Sequence, residues 1–88
     1  MRTLRETVTL VRGIAKSNDK LADAAQAVLW ALPGSRLNRD AERVLLECSP
    51  FILTVILDRL VKQRTPGDAM HWMNTQLRDF ALKSNMRT

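Results

Sequence analysis

The stretch that decides the fold is Ser49-Pro50-Phe51-Ile52-Leu53-Thr54-Val55-Ile56-Leu57-Asp58-Arg59-Leu60-Val61-Lys62. Serine caps helix N-termini well and proline suits the first helical position, so Ser49-Pro50 opens a helix expected to run through about Arg64. No other segment is apolar round most of its circumference, which places residues 50–64 at the centre of a bundle with the other helices packed about it. Its apolar runs, Phe51-Ile52-Leu53 and Val55-Ile56-Leu57, are far short of the roughly 20 residues that a membrane span needs.

The flanking segments carry the same start and stop signals. Downstream, Thr65-Pro66-Gly67-Asp68 repeats the opening pattern and starts a helix to about Lys83, with Ala69, Met73, Leu77 and Phe80 facing inward and a tail, 84–88, that frays. Upstream, Asn38 caps a short helix whose inner stripe is Ala41, Val44, Leu45 and Cys48, with Leu37 placed to staple onto it. Before that, Ser17-Asn18-Asp19 offers three N-cap residues, and Leu21, Ala25, Val28 and Leu32 recur at helical spacing until Pro33-Gly34 ends the run. At the start, Thr3 and Glu6 have capping-box spacing and Leu4, Val8, Val11 and Ala15 share a face, although Thr7-Val8-Thr9-Leu10 also alternates like a short strand and Gly13 weakens a helix. The expectation is an all-α, compact single-domain bundle of about five short helices spanning 1–88.

Length and composition narrow the function. The chain has 88 residues, 45% of them hydrophobic and 26% charged, and it carries a net charge of +5. A domain this small has a thin core and little room for a deep cleft, which argues against a small-molecule substrate and against a multi-step enzyme. Cys48 is the only cysteine, which excludes an internal disulfide and suits a cytoplasmic, reducing compartment. Nothing near Met1 has the pattern of a secretory signal. His71 is the sole histidine, Gly13, Gly34 and Gly67 form no phosphate loop, and the acidic residues do not cluster, so neither catalysis, a cofactor nor a metal is expected.

Two features point toward binding. Trp30 lies opposite Leu21, Val28 and Leu32, and Phe51 and Val55 share the polar sector of Asp58 and Lys62, with Arg59 beside them. Aromatic residues on a polar face near arginine have the composition of an interface hot spot, so Trp30, Phe51, Val55 and Arg59 are the candidate protein-binding residues. The second feature is a basic stripe, Arg2, Arg5, Arg12 and Lys16, seconded by Arg39 and Arg43, which suits phosphate contacts.

Ser49-Pro50, Leu53-Thr54, Asp58-Arg59-Leu60 and Lys62 also resemble the recognition helix of MarR-type winged-helix regulators, over about a sixth of the chain. The resemblance implies a DNA-reading helix followed by a β-wing. The sequence departs from that pattern at Phe51, Ile52 and Val55, where small polar or basic side chains stand in the family, and at Glu47, where a tight turn favours glycine. The Ser49-Pro50 opening it shares is general helix-capping grammar. The leading expectation is therefore a non-enzymatic regulatory or adaptor protein that binds a protein partner or forms a homodimer. Nucleic-acid binding through the stripe is the alternative, and no membrane role is expected.

Overall fold

The capping box at Thr3 and Glu6 closes in both directions in the computed structural model, which describes residues 2–83. The Glu6 amide donates to Thr3 Oγ1 (3.1 Å) and the Thr3 amide to Glu6 Oε1 (3.0 Å). These bonds to Thr3 hold the Glu6 carboxyl below its ordinary pKa. The helix they start, α1 (Leu4–Ser17), settles the ambiguity of residues 7–10 in favour of helix. There follow α2 (Ala22–Ala31), α3 (Arg39–Glu47), α4 (Pro50–Leu60) and α5 (Pro66–Lys83). Single 3-10 turns at Asp19–Leu21 and Pro33–Ser35 flank α2, and no strand occurs among the described residues. The wing implied by the winged-helix resemblance is absent from them. The tail 84–88 lies outside the described residues.

Each junction follows from local chemistry. Asn18 Oδ1 accepts from the Lys20 amide (3.1 Å) and so starts the turn before α2. Gly34, at φ 80°, supplies the left-handed residue that ends the α2 region after Pro33. Asn38, Ser49 and Thr65 accept from the amides of Ala41, Ile52 and Asp68 respectively, as N-cap side chains do. Helix α4 stops at Leu60, about four residues earlier than the sequence suggests. The Lys62 and Gln63 amides bond back three residues, to Arg59 and Leu60, which tightens the chain into a turn. Pro66 disfavours helical geometry at Thr65, and the Thr65 cap starts the next helix from outside it.

The core is continuous through all five helices. Leu45, Leu53, Ile56, Leu57, Met73, Leu77, Val11 and Val28 are its fully buried bulk, and Ala24, Ala25, Ala27 and Ala31 let α2 come close to its neighbours. Helix α5 packs most widely, against α2 and α3, whereas α4 supplies the large side chains and keeps one side open. On α1 the buried face differs from the expected Leu4–Val8–Val11–Ala15 stripe. It is centred on Thr7 and Val11, with Val8 and Ala15 half-buried on one flank, Leu10 and Ile14 on the other, and Leu4 exposed. Burying Thr7 costs little because its hydroxyl donates to the Thr3 carbonyl (3.0 Å). Phe80 is half-buried, and Ala81 closes that end of the α5 stripe.

Gly13 is exposed in mid-α1, and a Cβ built there meets nothing within 4 Å. Gly13→Ala should therefore stabilise the protein by about 0.5–1 kcal/mol, the helix-propensity difference, and raise the melting temperature by several degrees in a calorimetric scan.

Candidate protein-binding face

Helix α4 turns Ile52, Leu53, Ile56, Leu57 and Leu60 into the core, which leaves Phe51, Val55 and Asp58 on the opposite side. Phe51 is 74% exposed, the most open large apolar side chain among the described residues. Val55 is half-buried one turn on, and Arg59 continues the row after another turn. Three of the four candidate residues therefore form one stripe along α4.

A hollow lies on each side of this stripe. Toward α5, the Arg59 guanidinium sits 5.6 Å from the centre of the Phe80 ring, a cation–π contact. Phe80 meets Trp72 edge-on, with centroids 5.6 Å apart and planes at 63°. These side chains, with Gln76, Asp79 and Lys83, enclose a notch of about 330 Å³. Sequence reasoning did not single out Trp72 and Phe80 as part of a surface, because each has the helical spacing of a core residue. The signal is their separation by eight residues on one face of a long helix, beside an α4 arginine. Toward α1, Leu10, Ile14, Leu21 and Thr54 line a shallower, largely apolar groove of about 540 Å³, with Gly13 at its edge.

Trp30 belongs elsewhere. It is 43% exposed at the end of α2, and the Arg36 guanidinium stacks 4.9 Å from its ring centre. The same guanidinium donates to the carbonyls of Trp30 (3.1 Å) and Pro33 (3.3 Å), so the pair closes the C-terminus of α2. No hydrogen bond or ring contact among the described residues joins Trp30 to Phe51, Val55 or Arg59.

The basic stripe loses its first member. Arg2 is folded under the end of α3, where its Nη1 donates to the Cys48 carbonyl (2.6 Å) and its Nη2 to the Leu45 carbonyl (2.9 Å). Its guanidinium is engaged there and is not presented as a phosphate contact. Arg5, Arg12 and Lys16 remain exposed along α1, without an ion pair among the described residues. Arg39 is exposed, whereas Arg43 is paired with Glu47 at 3.1 Å, which weakens the second cluster.

Cys48 is fully buried, and burial pushes its thiol pKa up despite the nearby Arg2 guanidinium. That is the environment of an unreactive thiol. Among the described residues no group of His, Cys, Asp and Glu converges as a metal site, and no helix is long and apolar enough to cross a membrane. No protein-family model, curated protein or solved structure matches the chain.

Proposed function

We propose that this protein is a non-enzymatic binding module that recognises a protein partner through the outer face of α4. Phe51 supplies the anchor, Val55 the lining and Arg59 the flanking charge. The observation that carries the reading is the exposure of Phe51. A phenylalanine left 74% open on the helix that provides the core's bulk contributes little to folding, and its apolar surface is available to a partner. The aromatic notch beside Arg59 adds the tryptophan and arginine chemistry typical of interface anchors. The single buried thiol suits work in a reducing, cytoplasmic compartment.

The test is affinity capture from the source organism's lysate, with and without nuclease, read by mass spectrometry. A discrete protein that survives nuclease supports the reading. Phe51→Ala should then weaken capture by about 30-fold or more, the scale of a 2 kcal/mol hot spot, while changing stability by no more than about 0.5 kcal/mol. Proteins that vanish with nuclease, alongside retained nucleic acid, would favour the second reading. That reading rests on Arg5, Arg12 and Lys16, which share one exposed ridge. Three phosphate contacts would give a salt slope of about −2.7 on double-stranded DNA, at about 0.9 per contact.

A further inference from the structure

We propose that the hollow where the start of α2 meets the turn between α4 and α5 binds a small organic acid, a monocarboxylate with a short apolar body. The inference does not rest on the protein-binding reading above, because the hollow shares no residue with the outer stripe of α4 or with the two hollows beside it. It encloses about 310 Å³, the low end of the range for small-molecule sites, and it is more closed than either of those two. Its floor is buried and apolar, made by Ala24 and Ala27 of α2, Leu60 at the end of α4 and Ala69 near the start of α5. The three alanines end at Cβ, so they send nothing out to fill the space between the helix ends.

The rim supplies the polar chemistry. Lys20 lines the hollow from the turn before α2, Arg64 from the turn after α4, and Asp23 from the first turn of α2. All three are exposed. Although they line one hollow, no two of them form an ion pair among the described residues, so each charge is free to meet a ligand. Two cations against one carboxylate leave a single net positive charge, which a monoanion offsets. A dianion such as phosphate would set its second charge against Asp23, and a cationic ligand would face both Lys20 and Arg64. A metal ion would find one carboxylate where a hard cation needs about six oxygens. A bare anion would leave the alanine and leucine floor wet, whereas an attached aliphatic chain covers it. The carboxylate therefore belongs with Lys20 and Arg64 and the chain on Ala24, Ala27 and Ala69.

Isotope-labelled full-length protein should be titrated with hexanoate at neutral pH and followed by amide shifts. Saturating shifts are expected at Ala24, Ala27, Arg64 and Ala69, with a dissociation constant on the order of millimolar, the scale for a ligand of so few atoms. Each methylene removed, from hexanoate toward acetate, should weaken binding about two- to fourfold. The double variant Lys20→Gln, Arg64→Gln should weaken it about tenfold and remove its salt dependence without lowering the melting temperature, because neither side chain is paired in the fold. Arg39→Gln, outside the lining, should change neither. Asp23→Asn should tighten hexanoate binding about two- to threefold and admit inorganic phosphate. The inference is overturned by absence of shifts at the four residues, by equal binding of hexylammonium or hexanol, or by phosphate binding the unaltered protein as tightly as hexanoate does. It is also overturned if the double variant binds unchanged, or if the shifts centre on Leu10 and Ile14 or on Trp72 and Phe80. Capture of a partner through Phe51 is a separate measurement, so none of these outcomes removes the protein-binding reading.

Discussion

Truncating Leu57 to alanine is expected to cost about 2–5 kcal/mol, the scale also expected at the equally buried Leu53 and Ile56. Leu57 is fully buried at the middle of that helix, between Leu53 and Leu60, in a chain with one thin core. Removing its three terminal carbons forfeits their transfer free energy, and the neighbouring side chains can close the void only in part. A domain of this size has about 5–10 kcal/mol of stability in hand, so the variant should approach unfolding at 37 °C. Urea denaturation followed by circular dichroism measures the effect. A loss under about 1 kcal/mol would show that the five helices do not enclose Leu57 as described. On the same helix, Phe51→Ala should leave the midpoint almost unmoved, and that contrast separates the folding side of α4 from its outer side.

Arg2→Ala is expected to cost about 2–4 kcal/mol, although Arg2 precedes the first helix and a surface arginine usually matters little. The last carbonyls of a helix have no partner within it. Arg2 supplies one for α3: its guanidinium donates to Leu45 and Cys48, and its own amide to Leu46 (3.1 Å). The alanine variant keeps the amide bond and loses both charged donors, each worth about 1.5–3 kcal/mol when the acceptor is screened from water. For a chain of this length the fall in melting temperature should be about 10–20 °C. Arg2→Lys, which offers one ammonium in place of a fork, should recover about half of it. A melting temperature within a few degrees of the wild type for Arg2→Ala would mean that the strap contributes nothing.

Most of the architecture could be read from the sequence because this chain marks its helices with strong local chemistry. Thr3, Asn38, Ser49 and Thr65 each cap the helix that their spacing announces, and Pro33-Gly34 closes α2 where it should. What escaped reading depends on tertiary contact. The rotation of α1 onto Thr7 requires knowing that its hydroxyl is satisfied inside the helix, and the periodicity of apolar residues is blind to that. The early end of α4 is set by the turn that the next helix's cap demands. The stripe Phe51, Val55 and Arg59 was legible because it contradicts the polarity of its sector. The clamp of Trp30 by Arg36, the pairing of Trp72 with Phe80 and the engagement of Arg2 join residues from separate turns or separate helices, so no local pattern announces them.

Asn38 does more than cap α3. Its amide donates to Asn74 Oδ1 (2.8 Å), its Nδ2 donates to the Asn74 carbonyl (2.8 Å), and Asn74 Nδ2 reaches the Arg36 carbonyl (3.3 Å). Apart from the Arg59–Phe80 contact and an exposed Arg78–Asp40 pair (3.4 Å), α5 meets its neighbours through alanine, leucine and methionine, which offer nearly the same welcome to a helix displaced along its axis by one turn. The asparagine pair does not, since a one-turn slip of about 5.4 Å would break all three bonds and hand their donors and acceptors back to water. Hydrophobic burial thus makes α5 adhere, and the asparagine latch fixes where along its length it stops.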